Sequence, residues 1–256
     1  MIRGTGKVFL VGAGPGAPDL ITLRGAEVLK RADIVFHDAL VHPGVLALAA
    51  RAESIAVGKR CGKFATVQQF INKRLVDAAR KYRVVVRLKG GDPMLFGRAQ
   101  EEIAALQAAG VPCEVVPGVT SALAAAAEAH ASLTQRGVAR SVAFVTPRVA
   151  AGEAPSEWVK SVAAADTAVI YMGAGHAQAI SAALIAAGLS RDLPVLVVES
   201  ASLPESRRIA LTLGELPEIA HYGVSGPAVI LLGRALAAAQ SASEEEREAA
   251  LHYAHA

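Results

Sequence analysis

Several features are scarce in this 256-residue chain, and each scarcity removes a class of function. There are only two cysteines, Cys61 and Cys113, far apart and without a C-x-x-C spacing, so neither a disulfide framework nor a zinc ribbon is indicated. Although 53% of the residues are hydrophobic, no unbroken apolar run approaches the roughly 20 residues that a bilayer crossing needs. The start MIRGTGKVFLVGAGPG has a short apolar run that ends in glycines and lacks a signal-peptide cleavage pattern, which points to the cytoplasm. Net charge is only +3, and the densest basic cluster, GKRCGK at 58–63, reads as a short loop, so anionic small molecules account for it without a nucleic acid. The histidines are dispersed, and His37 and His42 lack helical ligand spacing, so no metal site is expected.

What is present is alternation. Apolar runs at 7–12, 32–38, 83–90 and 113–118 read as strands, with helical spacing at 22–32, 67–81 and 98–110 between them. Thr22 and Thr66 stand where N-caps belong, and Gly110 where a helix would close. A second alternation follows, with strands at 141–146, 167–173, 194–200 and 228–233 and helices near 156–164 and 176–187. This is the pattern of βαβ units and mostly parallel sheets, and the chain is long enough for two α/β domains, 1–118 and 119–236, with a cleft between them. The stretch 237–256 reads as a helical or disordered tail.

Two glycine-rich strand ends carry the chemistry. In VFLVGAGPGAPDL, Gly12, Gly14 and Ala17 fit G-x-G-x-x-[GA], and Asp38 lies near where a ribose-binding acid belongs. Yet Pro15, Gly16 and Pro18 keep the chain irregular to about Thr22, so no helix N-terminus is in place to receive a pyrophosphate. A side-chain-poor loop that lets a flat ligand approach the backbone fits better; a tight turn with no ligand is the plain alternative. In VVVRLKGGDPMLFGR, Gly90 and Gly91 free backbone groups at a strand end, where open α/β sheets bind ligands. Asp92 either accepts from a ligand or caps the following turn. Glu101 and Glu102 are consecutive helical positions on different faces, read as charge favoured by the helix dipole and not as a hydrolytic pair.

The combination RLKGGDP..FGR after GAGPG and VGKR, with VPGVTSA, LTQRG, SVAFVT, VIYMG and PVLVVESAS, resembles the uroporphyrinogen-III C-methyltransferases of the tetrapyrrole methylase superfamily over about residues 7–234. The resemblance implies a homodimer of two-domain α/β subunits binding S-adenosyl-L-methionine, with S-adenosyl-L-homocysteine as product and no metal. It also implies transfer of two methyl groups to pyrrole carbons of uroporphyrinogen III. The product would be precorrin-2, for sirohaem or cobalamin synthesis, and the chain's length leaves no room for a further dehydrogenase–ferrochelatase domain.

Carried over position by position, the resemblance assigns Pro15, Gly90, Asp92, Leu95, Thr120, Ser121, Met172 and Ala201 to the methyl donor. It matches Asp38 to a proton acceptor and Lys59 to a proton donor, and it leaves Arg60, Lys63, Arg98, Arg136 and Arg140 as candidates for the substrate's carboxylates. On residue type alone Met172 reads as core. Departures from the family pattern fall at Ala17, Ala39, Gln135, Arg148 and Ala201. The alternatives are a later precorrin methyltransferase of the same superfamily and, from another class, a dinucleotide-binding sensor built on Gly12 to Ala17.

Overall fold

The computed structural model describes residues 5–57, 64–149 and 156–238, with side chains at 64–67 excepted. Lys59, Arg60, Lys63 and the tail beyond 238 therefore lie outside the described residues. The chain divides into two compact units, Met1–Ser121 and Ala122–Ala256.

In the first unit the strands are β1 (Lys7–Gly12), β2 (Ile34–His37), β3 (Glu53–Ala56), β4 (Val84–Lys89) and β5 (Cys113–Val116). They order as β3-β2-β4-β1-β5, and every pairing is parallel. Helices α1 (Leu23–Lys30), α2 (Pro43–Leu46), α3 (Phe64–Ala79) and α4 (Ala99–Ala108) provide the crossovers. Side chains alternate across a strand, so Val8 and Leu10 of β1 pack with Ile71, Leu75 and Leu106, whereas Phe9 and Val11 pack with Val28, Leu29 and Val45 on the other face. Burial on both faces is why β1 reads as a near-continuous apolar run and β4 as an apolar run broken only by Arg87 and Lys89.

Thr22 caps α1 as its position suggested, its Oγ accepting from the Gly25 N–H at 3.1 Å. Thr66 does not cap α3: that helix begins at Phe64, which puts Thr66 inside its first turn. Gly110, at φ +66°, closes α4 with its N–H on the Gln107 carbonyl at 3.0 Å.

The second unit holds α5 (Ser121–Glu128, its first residue in the first unit), β6 (Val142–Val145), α6 (Trp158–Ala164), β7 (Thr167–Tyr171), α7 (Ala177–Ala186), β8 (Pro194–Glu199), β9 (Arg207–Thr212) and β10 (Ala228–Gly233). The sheet order is β6-β7-β10-β8-β9. The expectation of a mostly parallel sheet fails here. Only β6 and β7 run parallel, because β8 returns directly into β9 as a hairpin and β10 inserts antiparallel to both β7 and β8. Its cores are apolar on both faces, with Ile170, Val197 and Ile230 on one and Val169, Val198 and Leu231 on the other.

Candidate active site

Parallel pairing brings the C-terminal ends of β1, β4 and β5 to one edge of the first sheet, and glycines meet there. Gly14 and Gly91 exchange two backbone hydrogen bonds, Gly14 N–H to Gly91 O at 3.2 Å and Gly91 N–H to Gly14 O at 2.7 Å. Both adopt positive φ, +80° and +66°, a region that side chains with a Cβ disfavour. Gly12 sits behind them: a Cβ there would lie 2.5 Å from Gly118 Cα and 2.7 Å from the Gly91 carbonyl oxygen. Three strand ends thus meet through close glycine backbone contacts, and the result is a wall nearly free of side chains. Gly90 is open except for Leu40, and Gly91 faces the Cα of Thr120.

Asp92 stabilises this wall from within. One carboxylate oxygen accepts from the Met94 N–H at 2.8 Å, making the turn after β4, and the other accepts from the Gly118 N–H at 2.9 Å, tying that turn to the end of β5. The capping reading of Asp92 is thus realised, and its carboxylate is half-buried at the strand tip. Leu95 follows in the same turn, its N–H on the Asp92 carbonyl at 3.4 Å. Pro15 is half-buried in the loop after Gly14, which stays irregular through a single 3₁₀ turn at Pro18–Leu20 before α1. No helix N-terminus stands within that loop, so the dinucleotide geometry is not formed.

Asp38 lies where β2 ends, its N–H bonded to the Leu88 carbonyl at 3.2 Å. Its carboxylate is a third exposed and takes the Arg87 guanidinium at 2.5 Å. Arg87 is buried, and its Nε turns back to Glu102 at 3.0 Å. Glu102, with no exposed surface, also takes Lys89 Nζ at 3.2 Å and Gln68 at 3.2 Å. Burial opposes the Arg87 charge, but Asp38 and Glu102 outweigh it and hold its pKa above the ordinary arginine value. Burial, then the charge of Arg87, draws Lys89 below the ordinary lysine value against the pull of Glu102. Glu102 stands in the first turn of α4, as the helix-dipole reading has it, and is in addition the buried counter-ion of two basic residues on β4. The sequence signals the need for a buried acid, because Arg87 and Lys89 interrupt an apolar strand at alternate positions and share one face, but not which acid supplies it.

The other candidates are more dispersed. Arg98, at φ +55°, has its guanidinium fork on Glu101, with Nε at 2.6 Å and an Nη at 2.8 Å, so a substrate carboxylate would have to compete for it. Arg136 is exposed in the tight turn closed by Gln135 and Ala139, and Arg140, also exposed, has its backbone N–H on Asp166 at 2.8 Å. Met172 follows β7 at φ +57° with 44% of its surface exposed, which overturns the core reading of this residue. Ala201 is buried just beyond β8, flanked by Ser200 and Ser202 at φ +52° and +74°. Both β7 and β8 run antiparallel to β10, so Met172 and Ala201 lie at the same end of the second sheet. Ser121 opens α5 directly after Thr120. No group of potential metal ligands is found among the described residues, and no helix there is long and apolar enough to cross a membrane.

The sequence profile of the tetrapyrrole (corrin/porphyrin) methylases matches residues 7–217. Siroheme synthase 1 of Klebsiella pneumoniae subsp. pneumoniae is 45% identical over 232 residues, which cover 90% of this chain and 49% of that protein. The chain spans about half the length of the curated relatives it matches. Uroporphyrin III C-methyl transferase from Thermus thermophilus, solved in its native form, superposes with a TM-score of 0.80 at 42% identity, covering 90% of this chain and 99% of that one. Its complex with S-adenyl homocysteine gives 0.78 at 41% identity with the same coverage. With the glycine-rich strand tips and both α/β sheets in place, the chain belongs to the tetrapyrrole (corrin/porphyrin) methylase family.

Proposed function

We propose that the protein transfers two methyl groups from S-adenosyl-L-methionine to pyrrole carbons of uroporphyrinogen III, giving precorrin-2, as a homodimer in the cytoplasm. The observation that carries this reading is the wall of Gly14, Gly90 and Gly91 braced by Asp92. It fits a flat, cationic donor because it offers close backbone approach and a fixed carboxylate with spare acceptor capacity. Likeness to the Thermus enzyme with bound S-adenyl homocysteine supports the donor.

The sulfonium supplies an activated methyl group, and a pyrrole carbon flanked by nitrogen is electron-rich enough to take it. The chain's task is then positioning, which in favourable cases is worth about 7–11 kcal/mol of barrier. Pro15, Gly90, Asp92, Leu95, Thr120 and Ser121 of the first unit are assigned to the donor, with Met172 and Ala201 of the second. Asp38, held at a strand end, accepts the proton that the methylated ring releases, and Lys59 supplies one. Arg60, Lys63, Arg98, Arg136 and Arg140 are assigned to the acetate and propionate arms, Arg98 by exchanging Glu101 for a substrate carboxylate.

The test is to incubate the anaerobic protein with S-adenosyl-L-methionine and uroporphyrinogen III and follow the mass of the macrocycle. A gain of two methyl groups is expected. No gain, from protein that binds S-adenosyl-L-homocysteine, would overturn the acceptor and leave the donor assignment standing.

A further inference from the structure

We propose that Arg87 is a positioning residue for the methyl transfer: it fixes the Asp38 carboxylate at the strand tip, and buried Glu102 in turn fixes Arg87. The proposal rests on the functional reading, in which Asp38 is the proton acceptor.

Arg87 spans the two carboxylates with different nitrogens, Nη2 on Asp38 at 2.5 Å and Nε on Glu102 at 3.0 Å. Its third nitrogen, Nη1, bonds the Leu88 carbonyl at 3.2 Å and reaches the Phe36 carbonyl at 3.5 Å. Every nitrogen of the guanidinium is therefore directed, so the planar group is fixed in place and its Nη2 presents a set position to one oxygen of the Asp38 carboxylate. Burying such a group is a poor way to gain stability, because the desolvation it costs is comparable with what pairing returns. Its geometry makes sense as placement. Asp38 is the one member of the cluster that reaches the surface, a third exposed, while Arg87, Lys89 and Glu102 are enclosed. The same Glu102 holds Lys89, the last residue before the Gly90–Gly91 tip, through both oxygens at 3.2 Å. One buried carboxylate thereby anchors the arginine that aims Asp38 and the strand end that carries the donor wall.

Replacing Arg87 leaves Glu102 paired with Lys89 and Asp38 open to water, so Arg87→Met removes the aiming contact without stranding a buried charge. The experiment is a double-mutant cycle of Arg87→Met and Asp38→Asn, reading kcat, the KM for uroporphyrinogen III and the affinity for S-adenosyl-L-homocysteine. In the wild-type background Arg87→Met is expected to lower kcat about tenfold or more, with donor affinity changed less than about twofold. In the Asp38→Asn background it should cost less than about twofold, because there is no carboxylate left to aim. An equal loss in both backgrounds would overturn the proposal, since a general loosening of the fold gives that result. The placement is also read without substrate, in crystals of Arg87→Met: Asp38 is expected to leave its position or occupy more than one. An unmoved Asp38 carboxylate would overturn the proposal whatever the acceptor is. A wild-type chain that binds donor but does not methylate uroporphyrinogen III sinks the functional reading alone, and the crystal result still decides the role of Arg87.

Discussion

The two sheets of this chain solve the same packing problem with opposite investments. The first is wholly parallel, brings three strand ends together through close glycine backbone contacts, and carries two basic side chains and a carboxylate inside. The second is mixed, has apolar residues on both faces, and confines its buried carboxylate to the last residue of β8, where Glu199 gathers Arg207 and the N–H groups of Ser225 and Gly226. A unit built only to be stable would resemble the second. Parallel strands deliver all their C-terminal ends to one edge, and in the first unit the expensive features, glycine and buried charge, stand at or next to that edge.

The sharpest way to break this comparison is Glu102→Gln. The change is nearly isosteric, yet it leaves Arg87 and Lys89 enclosed with only the partly exposed Asp38 to balance them. Removing one partner of a buried ion pair costs about 3–5 kcal/mol. Its neighbour Glu101 forms an exposed i,i+3 pair with Arg98, and Glu101→Gln should cost less than about 1 kcal/mol. Denaturant unfolding of the two variants checks this, and equal losses would mean that the enclosed cluster is no different from the surface.

The glycine tip gives the next effect. At Gly118 a Cβ would stand 2.8 Å from Gly12 Cα and nearer still to the Gly91 carbonyl, and both obstacles are backbone that cannot turn away. Gly118→Ala is expected to cost about 1–3 kcal/mol by overpacking and to weaken S-adenosyl-L-homocysteine binding with it. In the second unit Gly175 has nothing within 4 Å of the same atom, so Gly175→Ala should change stability by less than about 1 kcal/mol. Titration and thermal unfolding of both variants are the measurement. A tolerant Gly118 would show that the three strand ends are not in such close contact.

This contrast also explains which parts were legible in advance. Strands buried on both faces, such as β1, β4 and β8, announce themselves as apolar runs, and Thr22 and Gly110 mark their helix ends by local chemistry. The elements the sequence concealed are short, exposed or uniform: ESIA in β3 is mostly exposed, β9 begins with two exposed arginines, and the alanine run of α5 has no polar face to give it a period. Missing β9 hid the hairpin, and with it the antiparallel half of the second sheet. At the site, the glycine tips were visible because glycine at a strand end has few other reasons to be there. Glu102 was not, since its neighbour Glu101 is an ordinary surface acid and adjacency in sequence says nothing about which of the two turns inward.

The smallest expected effect belongs to the second unit and the carboxylate that ends β8. Burial alone would raise the pKa of Glu199, but the Gly226 N–H, the Arg207 guanidinium and the Ser225 N–H outweigh it and hold the group below its ordinary value of 4.5. A carboxyl depressed in the folded state binds its proton more tightly when unfolded. Its contribution is therefore fully present above 4.5 and is lost as pH falls through the folded-state value. Because Arg207 is about half exposed, solvent screens part of the pairing and the contribution is modest. Thermal unfolding of wild type and Glu199→Gln, compared at neutral pH and then stepwise below 4.5, should show the difference between them shrinking with acid. A difference that stays constant would mean that the loop at 225–226 is held by shape rather than charge, and would bring the second unit's polar contacts closer in kind to the backbone junction of the first.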